Sequence, residues 1–230
     1  MCGMAMAQAP AAKSPAPAKP ATTSRLLNPA ALTAPAPAEF DVKFTTTEGV
    51  IVFHLTKAWA PNGVDRFYNL VRAGFFTDVA FYRVIDGFMA QFGVSPDPAV
   101  SRAWLGHDIK DDKVTQTNKR GRLTFAATGA PNSRGTQLFI NFKDNGRLDG
   151  MGFAPIGEVT EGMDVVDKLY SGYGDTAEQG SGGPSSRRLD TEGKPYLDRN
   201  FPKISRILSA KIVTAPAAPA AAPAKPPAAK

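Results

Sequence analysis

The chain has 230 residues and a formal net charge of +6, enough length for one large domain or two small ones. The charge is concentrated at the ends, where Lys13, Lys19, Arg25, Lys225 and Lys230 face only Glu39, so residues 1–39 and 215–230 hold +4 and the middle about +2. That balance argues against a nucleic-acid face, and one cysteine, Cys2, with two distant histidines, His54 and His107, excludes a disulfide framework, a core thiol nucleophile and a metal site.

The two ends are rich in Ala, Pro, Lys, Ser and Thr and contain 12 of the 20 prolines. Such segments bury too little apolar surface to offset the entropy of ordering them. We expect disordered or polyproline-like tails at 1–39 and 215–230 around one domain at 40–214. No run approaches the roughly 18 apolar residues of a membrane span. Ala5-Met6-Ala7 before Gln8 looks like the end of a signal peptide. It suggests a periplasmic or exported protein, with a cytoplasmic chain as the alternative.

Within the domain, Phe40, Val42 and Phe44 alternate with polar neighbours, Thr47-Glu48-Gly49 supplies a turn, and Val50–Leu55 is β-branched and apolar. This predicts a hairpin. Pro61-Asn62-Gly63 opens a helix with Val64, Phe67, Leu70 and Val71 on one face, and Gly74 stops it. Val79–Gln91 is strand-like and broken by Asp86-Gly87. Residues 97–122 are polar and predict a long irregular connection. Leu123–Ala127 and Thr136–Phe142 predict strands separated by a loop of small residues, and Ala154–Val159 another strand. Met163–Tyr170 predicts a short helix, Ser171–Asn200 a Gly-rich polar excursion, and Ile204–Val213 a closing strand. Seven or eight short strands placed as neighbours, with two helices, favour a closed antiparallel barrel or a sandwich.

Phe81-Tyr82-Arg83-Val84-Ile85-Asp86-Gly87-Phe88-Met89-Ala90-Gln91-Phe92-Gly93 resembles the cyclophilin segment written FHRVIPGFMIQGG. Pro131–Ile140 (PNSRGTQLFI) is similar to the family's PNTNGSQFFI, and Leu148-Asp149-Gly150 with Ile156-Gly157-Glu158-Val159 to LDG…FGKV. The three blocks stand in the family's order, and the likeness runs from about Val42 to Val213. The resemblance implies a closed eight-stranded antiparallel barrel capped by two helices. It also implies a cofactor-independent peptidyl-prolyl cis/trans isomerase that acts as a monomer on proline-containing polypeptides. It would make Arg83 the catalytic arginine and Gln91 a polar partner for the substrate carbonyl. Phe88, Met89, Phe139 and Leu148 would line a proline pocket. Ala127, Thr128 and Gln137 would border the adjoining groove, with Thr128 offering backbone contacts.

Those residue types suit the chemistry. Amide resonance opposes rotation by roughly 18–20 kcal/mol, so uncatalysed Xaa-Pro exchange takes tens of seconds or longer. Millisecond turnover needs about 10⁴- to 10⁵-fold acceleration, or about 5.5–7 kcal/mol. In the twisted state the prolyl nitrogen regains its lone pair, and a permanently protonated guanidinium is a pre-organised donor for it. One such bond contributes about 2–4 kcal/mol in a water-poor site. An apolar wall that grips the ring supplies the rest.

The chain departs from the family pattern in places. Tyr82 stands where His is common, Asp86 where Pro is, Phe92 and Val94 where a glycine and an acid are, and Arg147 where some members have Trp. The family's pocket histidine has no clear equivalent, since Gly152 or Phe153 falls there, and Phe153 would still supply an aromatic wall. Asp111-Asp112 between lysines reads as a solvated loop and Gly180–Gly183 as a flexible one. The altered wall keeps a second expectation open, a proline-peptide-binding or chaperone module with little catalysis. A third gives the Pro-rich tails a docking role.

Overall fold

β1 (Glu39–Thr46) and β2 (Val50–Thr56) bury every second side chain, the period-2 pattern of a half-buried strand. Gly49, at φ +143°, closes their hairpin, and Thr46 N donates to its carbonyl at 2.8 Å. Helix α1 (Pro61–Arg72) buries Val64, Phe67, Leu70 and Val71 along one stripe. Its first N–H groups do not go unsatisfied: Asn62 and Gly63 donate to the Asp112 carboxylate at 3.0 and 2.8 Å. Asp112 is thus a helix cap rather than a solvated loop residue. Asp111 is also anchored, as an ion pair with Arg134 and acceptor of Asn132 N.

The structure, a computed structural model, describes residues 25–213. The strands β3 (Val79–Ala80), β4 (Arg83–Ile85), β5 (Met89–Phe92), β6 (Arg122–Phe125), β7 (Leu138–Asn141), β8 (Pro155–Glu161) and β9 (Arg206–Val213) join β1 and β2 in one sheet. Its order is β3-β9-β1-β2-β8-β6-β7-β5-β4, and every pairing is antiparallel. The two outermost strands, β3 and β4, are separated in the chain by Phe81 and Tyr82 alone. The sheet therefore curls back on itself.

Among the described residues the expected eight strands become nine because one predicted strand changes partner midway. Val79 and Ala80 pair with β9, whereas Arg83–Ile85 pair with β5. The core inside the curl is aromatic. Phe92 is fully buried, with ring centroids 5.2, 5.8 and 5.8 Å from Phe81, Phe44 and Phe76. Offset and edge-on rings at such distances attract beyond their area burial, which explains a phenylalanine where the family has glycine.

Among the described residues the expected two helices become five. α1 falls where the periodicity puts it, whereas α3 (Met163–Val166) starts as expected but stops four residues short of Tyr170. The long connection contains α2 (Pro98–Trp104), whose N-cap Asp97 accepts from Ala99 N. The excursion, expected to be extended, folds into α4 (Ser186–Glu192), capped by Ser185, and α5 (Lys194–Asn200). Leu189, Tyr196 and Leu197 from these helices bury a satellite core with Ala80, Tyr82, Val94, Phe201 and Ile204. Three apolar residues spread over a polar segment give no periodicity, so only this packing orders it.

The N-terminal boundary expected at residue 40 also moves. Leu26 and Ala36 are buried, and Trp104 Nε1 donates to Leu26 O at 3.0 Å. Asn69 on α1 brackets Ala34, accepting from its N–H at 3.1 Å and donating to its carbonyl at 2.8 Å, while Asp65 accepts from Ala36 N at 2.7 Å. Side chains one helical turn apart thus satisfy a backbone that has no strand partner there. The signal-like start and most of both expected tails lie outside the described residues. Among those described, no helix is long and apolar enough to cross a membrane.

Candidate active site

The register across β4, β5, β7 and β6 puts Arg83 opposite Gln91, Gln91 opposite Phe139, and Phe139 opposite Thr124. One residue along, Val84, Ala90, Ile140 and Leu123 form the next row and belong to the main core. Alternation sends Arg83, Gln91 and Phe139 to the opposite face of the sheet. Two residues on, Ile85 and Met89 return to that same face. The strand period alone places a cation, an amide and three apolar side chains on one outer patch.

Two regions meet there. Met89, Phe139 and Leu148 form a buried apolar cluster distinct from the main core, flanked by Ile85, Phe88, Ala126 and Phe153. Phe153 packs edge-on to Phe139 with centroids 5.8 Å apart, and the Arg147 guanidinium lies 4.8 Å above the Phe88 ring. The 3-10 turn Gly146–Met151 carries Leu148, and Asn145 Nδ2 ties that turn to Phe88 O at 2.9 Å. All five expected pocket residues, Phe88, Met89, Phe139, Leu148 and Phe153, are therefore brought together.

Beside this cluster runs a cavity of ≈ 630 Å³ lined by Arg83, Gln91, Ala127, Thr128 and Gln137, the five remaining expected residues. Ala126 borders both regions. The opposite walls come from Trp104 on α2 and from Thr176, Glu178 and Asp190 in the excursion. Burial pushes the Asp190 carboxyl up, and the charge of Glu178 adds to the shift.

The polar network has one consistent orientation. Arg83 can only donate, so the Gln91 atom at 3.0 Å from Nη1 is its Oε1. Gln91 Nε2 then donates to Gln137 Oε1 at 3.0 Å, and that oxygen also accepts from Tyr82 OH at 2.6 Å. Burial holds the Tyr82 phenol far above the ordinary tyrosine range, so it stays a donor. Tyr82 is therefore part of the site, which the motif comparison did not indicate.

Sequence reasoning also missed Asp175. Its carboxylate takes Arg83 Nε at 2.6 Å and Nη2 at 3.1 Å, a side-on bidentate pair across 92 residues of chain. The hydrogen bond from Arg83 holds the Asp175 carboxyl below the usual carboxylate range. No sequence signal could have found it, because Gly174-Asp175-Thr176 lies in a polar stretch with no motif. Among the described residues no group of three His, Cys, Asp or Glu side chains could hold a metal ion.

Comparison with known proteins identifies the family. The family model "Cyclophilin type peptidyl-prolyl cis-trans isomerase/CLD" matches residues 41–187. The chain is 38% identical over 136 residues to peptidyl-prolyl cis-trans isomerase B of Escherichia coli, covering 56% of this chain and 82% of that one. It is 36% identical over 135 residues to the isomerase cyp18 of Streptomyces antibioticus, covering 56% and 81%. A cyclophilin type isomerase of Cryptosporidium parvum superposes with a TM-score of 0.57 at 21% identity, over 77% of this chain and 99% of that one, a likeness of fold. The outer patch of Arg83, Gln91 and the Met89–Phe139–Leu148 cluster thus sits inside a matched region, and the chain belongs to the cyclophilin-type peptidyl-prolyl cis-trans isomerase family.

Proposed function

We propose that this chain accelerates rotation about Xaa-Pro bonds in polypeptides and so assists their folding, with Arg83 as catalytic residue and no cofactor. One observation carries the assignment: the Arg83–Gln91–Phe139 row sets a guanidinium and a buried apolar cluster on the same face of the sheet, with Gln91 between them. The cluster of Phe88, Met89, Phe139, Leu148 and Phe153 holds the proline ring, while an Arg83 N–H donates to the prolyl nitrogen as the bond twists. That donor stabilises the transition state more than the planar ground state, the requirement for a rate gain. Gln91 holds Arg83 in register and, with Gln137, offers amide donors to the substrate backbone. Ala127 and Thr128 border the adjoining chain.

The curled sheet we take as a barrel closed through Phe81 and Tyr82, since Phe81 N bonds to Ser205 O at 3.0 Å beside β9 while Arg83 already pairs with β5. The protein acts as a monomer, and its ligand is polypeptide rather than nucleic acid. In support of the latter, surface cations such as Arg120, Arg188 and Lys194 lie beside acids.

Exchange spectroscopy on a short Ala-Pro peptide tests the assignment. Arg83→Ala is expected to slow catalysed exchange by about 100-fold or more with the fold intact; an unchanged rate refutes the role of Arg83. A second reading, a proline-peptide-binding module with little catalysis, draws on the Asp175 carboxylate already engaging Arg83. Peptide binding without accelerated exchange by the wild-type chain would establish it instead.

A further inference from the structure

The excursion after β8 delivers one carboxylate to the arginine on which the proposed function rests. A guanidinium has five N–H donors. Asp175 takes one on Nε and one on Nη2, and Gln91 takes one on Nη1. Each terminal nitrogen therefore keeps one N–H. The carboxylate occupies the side edge of the guanidinium, and Arg83 still lines the cavity.

The loop that carries Asp175 is held independently of this pair. Tyr173 packs its ring on Phe201 with centroids 5.0 Å apart, and Thr176 is buried. Thr176 N donates to Asp175 Oδ1 at 2.7 Å. Gly183 lies so close to the Asp175 carbonyl that a Cβ there would collide with it. Arg83 and Asp175 retain 25% and 30% of their side-chain exposure, so solvent still screens the pair and limits its share of stability. A rigidly held carboxylate on a partly exposed arginine acts mainly on the direction of the guanidinium.

We propose that Asp175 is a positioning residue for the isomerase reaction, fixing the Arg83 plane from the side edge so that one N–H on each terminal nitrogen is presented to the substrate. Without it, Gln91 alone holds one corner of a side chain with several rotatable bonds. A small misplacement of a group aligned for the transition state costs turnover rather than binding. The inference rests on the proposed function, so its test separates the two.

The full chain is assayed on an Ala-Pro peptide as wild type, Asp175→Asn, Asp175→Ala, Arg83→Ala and Arg83→Ala/Asp175→Ala. Both single Asp175 variants are expected to lose about tenfold in kcat with KM within about twofold. In the Arg83→Ala background, Asp175→Ala is expected to cause no further loss. The Arg83 Nε–H resonance, shifted by the carboxylate in the wild type, should move to the free-guanidinium position in Asp175→Asn. A kcat that is unchanged or raised in Asp175→Asn overturns the proposal, as do losses that add in the double variant. Equal exchange rates in the wild type and Arg83→Ala would instead refute the catalytic role of Arg83. In that case an unmoved Nε–H resonance in Asp175→Asn would still overturn the tie.

Discussion

Asn118 provides a demanding test of how the apolar wall is held. Its side chain is completely buried and its amide is saturated. Nδ2 donates to Asp149 Oδ1 and to Phe153 O, both at 2.8 Å, and Oδ1 accepts from Thr124 Oγ1 at 2.8 Å and Asn141 Nδ2 at 3.3 Å. Asn118→Ala leaves the Thr124 hydroxyl and the Phe153 carbonyl without these partners, whereas Asn141 keeps Arg122 O at 3.2 Å and Asp149 keeps the Asn118 N–H at 2.9 Å. At about 1–3 kcal/mol for each stranded buried group, less what an entering water restores, the expected loss is about 3 kcal/mol. For a domain of this size that corresponds to a fall in Tm of about 6–12 °C. Urea denaturation monitored by circular dichroism measures it directly. The same variant releases Phe153 against Phe139, so KM for a proline peptide should rise while Arg83 and its partners stay in place. A destabilisation below about 1 kcal/mol would refute the idea that these buried amides hold the wall as a connected network.

Two further outcomes follow from the packing and the charges. Phe92→Ala removes a fully buried ring from among Phe44, Phe76 and Phe81, and should cost about 3–5 kcal/mol in equilibrium unfolding; a small effect would mean that the aromatic core collapses to fill the gap. For Glu178, desolvation would raise the carboxyl, but hydrogen bonds from Ser185 Oγ and the Ser186 and Arg187 N–H groups hold it at about 2. Its folded value is depressed, so its contribution is present above the ordinary glutamate value of about 4.3 and is lost as the pH falls towards the folded value. The Tm difference between wild type and Glu178→Gln should therefore favour wild type near neutrality and shrink between those limits. A difference that grows on acidification would contradict the assignment.

Much of the fold could be read locally. The β1–β2 hairpin follows from alternation and a turn glycine, and α1 from the spacing of Val64, Phe67 and Leu70 behind a proline start. The candidate site was legible for a related reason: Arg83, Phe88, Met89 and Gln91 lie within nine residues on two strands and the tight turn that joins them. A period of two is then enough to bring alternate side chains to one face. Phe139 and Gln137 joined them through a second recognisable block.

What the sequence by itself determined was therefore the strand pattern, one helix and the chemistry of the outer patch, because those depend on neighbours in the chain. Tertiary structure alone decided the rest. Val79–Ile85 splits because its two ends meet different strands. Residues 34–36 are ordered by Asp65 and Asn69, and the polar excursion folds only because Tyr82 and Val94 give its few apolar residues a surface to cover. Asp175 reaches Arg83 by the same route. A contact spanning 92 residues leaves no periodic trace in either segment, since it depends on how the sheet curls and not on either residue's neighbours.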